Sequence, residues 1–216
     1  MKRQPGTLRE CASLAAMAIP DTMITTAEEV TEGSLAPHGS VRLTGLPPFC
    51  RVAAVTKPAV KFEVWLPLSN WNGKFQGVGN GANAGSISYA AMASALKRGY
   101  ATASNDTGHE TEDARDGSWA LGHPELLIDF GYRSIHVTTQ NAKKIIDQFY
   151  AEAAKHSYFV ACSTGGRQAL MEAQRFPEDY DGIIARMART MQPASRRSRS
   201  RRWAKSGPDR TLPAVS

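Results

Sequence analysis

The sequence predicts an α/β fold in which a parallel sheet carries crossover helices, and three observations predict it. Short apolar or alternating segments that suit strands, at residues 61–67, 74–78, 100–104, 158–162 and 182–185, are separated by segments of a different period. A long helical pattern places Tyr132, Ile135, Thr139, Ala142, Ile145, Ile146 and Phe149 on one face, while Lys143, Lys144, Asp147 and Gln148 fall away from it. The buried strand Tyr158–Cys162 then runs through Ser163 directly toward another helix, over Gln168–Arg175. Strands that alternate with helices need crossover connections, which make neighbouring strands parallel.

Along the chain, Lys2, Arg3 and Arg9 precede a short apolar stretch, Leu14–Ile19. It is too short and too polar-flanked for the apolar core of a secretory signal, and is expected to form a surface helix that opens the domain. Lys61–Pro67 alternates as a strand, Trp71-Asn72-Gly73 reads as a turn, and Lys74–Val78 is the second strand. That strand enters Gly79-Asn80-Gly81-Ala82-Asn83-Ala84-Gly85, too rich in glycine for a strand interior and suited to a loop whose backbone approaches another group closely. Tyr89–Lys97, rich in Ala and Met, is helical, and Tyr100–Ser104 is a strand ending at Asn105-Asp106-Thr107-Gly108-His109. A polar, acidic loop over Glu110–Gly117 leads to the long helix. Past Ala185, Arg and Ser dominate and no period survives. The expected organisation is a domain over residues 1–185 and a disordered basic tail over 186–216.

Composition narrows the class. With 216 residues, 42% of them apolar and 21% charged, the chain suits one sizeable core, and no run approaches the length of a membrane span. A membrane is therefore not an expected partner. The net charge of +6 is uneven: residues 1–185 hold 17 basic and 19 acidic groups, whereas residues 186–216 hold nine basic groups and one acid. Clustered Arg can neutralise phosphates without a fold, which is the case for nucleic-acid binding through the tail. Against it, Trp203 is the tail's single aromatic, so nucleic acid is not the expected partner. Three cysteines, Cys11, Cys50 and Cys162, make an odd count, and their spacing fits no zinc site.

The segment richest in chemistry is Ala161-Cys162-Ser163-Thr164-Gly165-Gly166. A nucleophilic serine on a sharp turn between strand and helix needs small residues two places before and two after it. Gly165 meets the second requirement, and Ala161 adds one methyl where glycine is usual. The same pattern also suits an ordinary strand-to-helix turn rich in Ser and Gly.

Cys162-Ser163-Thr164-Gly165-Gly166-Arg167-Gln168-Ala169-Leu170, followed by Glu172-Ala173-Gln174-Arg175-Phe176-Pro177-Glu178-Asp179-Tyr180-Asp181-Gly182-Ile183, resembles the nucleophile block of tannases and feruloyl esterases. The similarity extends upstream through Phe49-Cys50-Arg51-Val52, Trp71-Asn72-Gly73-Lys74-Phe75, Gly77-Val78-Gly79-Asn80-Gly81, Asp106-Thr107-Gly108-His109 and Asp129-Phe130-Gly131-Tyr132-Arg133, covering residues 11–185.

The resemblance implies an α/β-hydrolase that acts on small aromatic esters, such as gallates or ferulates, through an acyl-enzyme, in a secreted or periplasmic setting. Ser163 matches the family's nucleophile. The backbone N–H of Thr164 and one from the loop around Gly81 and Ala82 match its oxyanion donors. It further implies a disulfide between Cys11 and Cys50, and leaves Cys162 at a position whose family partner, beside the catalytic histidine, this chain lacks. No cofactor is expected, because the family's calcium site belongs to a lid that follows the serine.

The match also departs from the family. All five histidines, His38, His109, His123, His136 and His156, precede Ser163, so the usual order of serine, acid and histidine is not completed. His109, beside Asp106 and Glu110, is expected to be structural or to face the substrate, and His123 and His136 to be packing residues. Asp179 and Asp181 are expected on a surface turn. The loss of resemblance at Arg186 suggests a truncated or frameshifted product that ends before the lid and the last part of the sheet. Such a fragment would be catalytically inactive, which is the alternative to an active esterase.

Overall fold

The computed structural model describes residues 8–37, 42–111, 113 and 116–186, so the expected basic tail lies outside the described residues except for Arg186. Strands β1 (Thr22–Val30), β2 (Ser34–Leu35), β3 (Leu43–Thr44), β4 (Phe49–Thr56), β5 (Val60–Pro67) and β6 (Lys74–Val78) lead to helix α1 (Tyr89–Leu96). After β7 (Ala101–Asn105) come α2 (Pro124–Ile128), α3 (Ser134–Tyr150), β8 (His156–Cys162), α4 (Thr164–Arg175) and β9 (Gly182–Arg186).

Seven strands form one sheet in the order β1-β4-β5-β7-β6-β8-β9. The parallel part that the sequence predicts runs from β7 through β6 and β8 to β9. On its other side β5, β4 and β1 add antiparallel strands. Connections through α1, α3 and α4 cross over between parallel strands and bring the C-terminal ends of β6, β7 and β8 to one edge, where α/β sheets place their sites.

Side-chain alternation divides the core between the two faces of the sheet. Phe62, Val64 and Leu66 of β5 pack with Phe75, Phe159 and the apolar face of α3, made by Ile135, Ala142, Ile145, Ile146 and Phe149. Trp65 points the other way and packs with Phe49, Val78 and, from α1, Met92, Ala93 and Leu96. Glu63 is buried in β5 at 3% exposure. Arg51 meets both its oxygens, at 2.9 and 2.6 Å, while Trp65 Nε1 and Tyr89 Oη donate to it at 2.7 and 3.0 Å. A buried charge held this way is satisfied by the fold.

The structure corrects three expectations. The N-terminal apolar stretch is not a surface helix: Cys11–Ala16 is a 3₁₀ turn that sends Cys11 and Leu14 into the core, with Ile19 following. Its anchor is the Cys11–Cys50 disulfide, with Cα atoms 5.6 Å apart. Asp179 is not on the surface but 1% exposed, accepting hydrogen bonds from Gln140 Nε2 at 2.6 Å and from His136 Nδ1 at 2.7 Å. His136 does pack, stacking on Phe176 at 3.9 Å, whereas His123 is exposed beside Glu125.

Glu172 of α4 is fully buried near Asp179, and among the described residues no N–H or hydroxyl donates to either of its oxygens. Burial first, and the charge of Asp179 second, push its carboxyl up to about 9. A folded-state value above that of the unfolded chain means that the native state holds the proton longer, so the group costs stability as pH rises above the unfolded carboxyl range. Glu172→Gln, neutral at every pH, is expected to raise the unfolding midpoint at pH 7–8, by about 2–3 kcal/mol of stability. The gain should vanish toward pH 4, as urea titrations across that range would show.

The disulfide closes a loop of sequence separation 39, and Cys162 is an exposed free thiol. Thiol titration of the denatured, unreduced protein should find one reactive group. Replacing Cys11 and Cys50 with Ser should lower stability by about 4 kcal/mol in the chain-entropy description.

Candidate active site

Ser163 sits between the end of β8 and the first residue of α4 with φ 60° and ψ −121°. A side chain other than glycine at positive φ is strained, and survives where its surroundings over-determine it. Here Ser163 N–H donates to Arg186 O at 2.9 Å, and Ser163 O accepts from Gly166 N–H at 2.9 Å and Arg167 N–H at 3.3 Å. Both strands and the helix therefore grip the one residue. Its side chain is half-buried at the sheet edge where the strands end.

Small residues make that grip possible. A Cβ on Gly165 would lie 2.7 Å from Ala161 Cβ and 2.9 Å from Asn80 O. One on Gly79 would lie 2.6 Å from the same Ala161 methyl and 3.0 Å from Gly165 Cα, and one on Gly166 would lie 2.5 Å from Arg186 O. The methyl that departs from the usual motif at position 161 thus fills the space between two glycines that have none.

In the loop after β6, all five carbonyls from Gly79 to Asn83 accept hydrogen bonds from within the protein. Ser88 Oγ donates to Gly79 O at 2.8 Å, Gly165 N–H to Asn80 O at 2.8 Å and Ala84 N–H to Gly81 O at 2.9 Å. Thr164 Oγ1 donates to Ala82 O, and His109 Nε2 to Asn83 O at 2.9 Å. Among the described residues no protein acceptor takes the backbone N–H of Gly81, Ala82 or Thr164. Because trans peptides are planar, each N–H points away from the carbonyl of the same peptide. The N–H of Ala82 is directed out of the loop's own turn, and that of Gly81 away from Gly165.

The loop is joined to α4 by a reciprocal pair. Asn80 N–H donates to Gln168 Oε1 at 3.1 Å, and Gln168 Nε2 donates to Asn80 Oδ1 at 2.9 Å. Asn80 Nδ2 also reaches Ser86 O and Asn105 O, at 2.8 and 2.7 Å. Neither residue stood out in the sequence, although a polar Gln168 on the helix face shared with Gly165 and Ala169 is the signal that could have found it. A third missed residue is Arg167, whose guanidinium donates to Gly131 O and Phe130 O at 2.7 and 2.8 Å and lies 4.6 Å from the Phe130 ring. Its two acceptor carbonyls belong to a π-turn over Asp129–Arg133. Burial lowers its pKa.

The structure therefore brings together Ser163, Thr164, Gly81 and Ala82, and leaves Cys162 exposed beside them. His109 is stacked on Trp119 with centroids 3.7 Å apart, and its Nδ1 faces Thr107 Oγ1 at 3.3 Å. Neighbouring Asp106 accepts from the N–H groups of Lys61 and Gly108, at 3.0 and 2.8 Å, while its other oxygen is buried and has no hydrogen-bond partner among the described residues. Burial pushes it up to about 7. Cavities of about 840 and 760 Å³ lie elsewhere, the first beside Lys57, Arg133 and His136, the second beside Arg51, Glu63 and Asp106; neither is lined by Ser163.

The packing around Ala161 generates a prediction. Gly79→Ala should destabilise the protein by about 1–3 kcal/mol, as overpacking does. Ala161→Gly in the same chain should recover part of that loss, because it removes the nearest clashing atom. A thermal double-mutant cycle measures the coupling, and simple additivity would contradict it.

A family model described as tannase and feruloyl esterase matches residues 42–206, past residue 185, where the resemblance visible in the sequence ends. An uncharacterized esterase of Xanthomonas campestris pv. campestris is 44% identical over 180 residues, spanning 81% of this chain and 31% of that protein. Feruloyl esterase B of Aspergillus niger is 42% identical over 123 residues, 57% of this chain and 23% of that protein. Among solved structures, feruloyl esterase B from Aspergillus oryzae superimposes with a TM-score of 0.74 at 32% identity, over 81% of this chain and 36% of that one. Tannin acyl hydrolase from Aspergillus niger, at 22% identity and a TM-score of 0.59, shares the fold over 78% of this chain and 34% of that one. The chain thus spans about a third or less of the length of these relatives. It belongs to the tannase and feruloyl esterase family.

Proposed function

We propose that this chain carries the nucleophile and oxyanion donors of a carboxylic-ester hydrolase acting on small esters of aromatic acids. The observation that carries the reading is Ser163 at positive φ between strand and helix, followed by Thr164, whose hydroxyl holds the Ala82 carbonyl; among the described residues no protein acceptor takes the N–H of Thr164 or Ala82. Ser163 Oγ attacks the ester carbonyl, the alcohol leaves with a proton, and water later releases the acid from the acyl-enzyme. As the carbonyl oxygen becomes negative, the N–H groups of Thr164 and Ala82 stabilise it; losing one such donor elsewhere costs on the order of 100-fold or more in rate. Ala82 suits this role better than Gly81, whose N–H is turned away from the first turn of α4.

The proton acceptor is a separate matter. Among the described residues no histidine hydrogen-bonds Ser163: His109 is held by Asn83 and Thr107, His123 by Glu125, His136 by Asp179, and His156 lies beside Asp181. A serine hydroxyl without an adjacent base is a weak nucleophile at neutral pH. This chain alone is therefore read as a site that can be acylated slowly and turns over little. A secreted or periplasmic setting is supported by the Cys11–Cys50 disulfide, which an oxidising compartment preserves. No helix among the described residues is long and apolar enough to cross a membrane.

A p-nitrophenyl phosphonate ester tests the nucleophile without needing turnover, since Ser163 Oγ displaces p-nitrophenolate from phosphorus and keeps the phosphonyl group. Stoichiometric labelling of Ser163, found by peptide mass and absent in Ser163→Ala, is the expected result; equal incorporation in that variant refutes the reading. Methyl ferulate and methyl gallate should be hydrolysed slowly at most. Fast turnover that Ser163→Ala abolishes would show that a base operates within this chain.

A further inference from the structure

The loop at residues 79–85 holds a shape that its own sequence does little to maintain. Ala82 and Ala84 both have positive φ, 48° and 62°, where an L side chain crowds the backbone. Gly79, Gly81 and Gly85 bring no side chain to pack and leave the free chain many alternatives. Within the loop, a single backbone hydrogen bond, from Ala84 N–H to Gly81 O, favours the observed turn.

Its first half is tied to α4 through Asn80, Gln168 and Thr164, and its second half rests on the loop after β7. Gly85 N–H donates to Asp106 O at 3.1 Å, and Asn83 O accepts from His109 Nε2 at 2.9 Å. His109 is itself immobilised. The ring is 7% exposed and lies flat on Trp119, with an interplanar angle of 13°. Thr107 on its other nitrogen is buried and donates its hydroxyl to Asp106 O at 2.6 Å. A Cβ on Gly85 would come within 3.3 Å of His109 Cδ2, so the ring fits against the backbone that the missing side chain leaves bare.

The protonation state follows from the partner. A carbonyl oxygen has no proton to give, so Nε2 must carry one, and Nδ1 lies 3.3 Å from Thr107 Oγ1, so both ring nitrogens are directed at partners other than Ser163. A general base needs a lone pair directed at the hydroxyl it serves. We propose that His109 is a positioning residue of the ester-hydrolysing site, which fixes the Asn83 carbonyl and so the Ala82 N–H without accepting a proton from Ser163. The inference rests on the reading of Ala82 as an oxyanion donor.

The full chain is compared with His109→Ala and with His109→Gln, whose side-chain amide can still donate to Asn83 O. Trp119→Leu removes the stacking surface and keeps the hydrogen-bonding groups, which covers the case in which His109→Ala does not fold. Amide hydrogen exchange of the peptide containing residues 79–85, read by mass, reports on the loop whatever the reactivity of Ser163. Saturation kinetics of labelling by the p-nitrophenyl phosphonate ester separate the limiting rate from the half-saturating concentration.

In His109→Ala, exchange at Ala84 and Gly85 should rise about tenfold, the effect of one lost hydrogen bond. The limiting labelling rate should fall by about tenfold or more at an unchanged half-saturating concentration. His109→Gln should recover most of both, and Trp119→Leu should shift both in the direction of His109→Ala by less. Unchanged exchange in His109→Ala would overturn the proposal. So would a rate loss that His109→Gln fails to restore while exchange stays protected, since that pattern belongs to proton transfer. Failure of the parent chain to label at Ser163 would overturn the reading of the nucleophile instead, and the exchange data would still decide whether His109 holds the loop.

Discussion

Three lengths of backbone converge on the methyl group of Ala161, and the rest of the site depends on how closely they can approach it. The loop after β6 reaches it at Gly79, α4 at Gly165, and β8 supplies the methyl itself. With two glycines there, Asn80 O lies within hydrogen-bonding distance of Gly165 N–H, and Asn80 and Gln168 can pair across the gap. Wider spacing would separate the loop from the helix and leave several buried polar groups unpaired, each costing about 1–3 kcal/mol. The strained serine is thus a consequence of packing as much as of its own sequence.

A directional bias in polarity follows from that approach. Carbonyls from Gly79 to Asn83 are turned toward protein donors, while among the described residues no protein acceptor takes the N–H groups of Gly81 and Ala82. Such an array favours negative charge without any charged side chain, because peptide dipoles are fixed by the fold before a substrate arrives. Ionised groups have been kept for structural work elsewhere. Glu63 locks Arg51, Trp65 and Tyr89 into one network, and Arg167 binds α4 to the π-turn before α3. Buried Asp106 and Glu172, both pushed toward the neutral form, sit where the fold gives them too few donors.

Legibility in the sequence varied with the strength of the local pattern. The segments read as β5 to β9, α1 and α3 carry alternation, a short apolar run, a composition rich in Ala and Met or, in α3, a helical period, and the structure places elements at each of them. Ser163 was legible because an elbow demands small neighbours, which Ala161 and Gly165 supply. Strand β1 was not, since an edge strand such as Thr22–Val30, made largely of Thr and Glu, alternates only weakly between half-buried and exposed positions. Asp179 was misplaced because acidic turns are usually solvated, and its half-buried partners, His136 and Gln140, come from a helix about 40 residues earlier. The Asn80–Gln168 pair spans 88 residues. No local window contains both halves of a hydrogen bond that long, so it emerges only when the sheet is assembled.

The bond between Ser163 N–H and Arg186 O gives the fold an order in time as well as in space. A ribosome extends the chain from the N-terminus, so β8 and the serine leave it before the residue that secures them exists. At typical synthesis rates the 23 residues from Ser163 to Arg186 take roughly 1–5 s to add. During that interval the sheet lacks β9, and the backbone at Ser163 lacks the Arg186 carbonyl that accepts its N–H. The turn that presents the hydroxyl is therefore fixed only once β9 has been made, and a chain stalled before Arg186 would carry the sequence of the turn without its geometry.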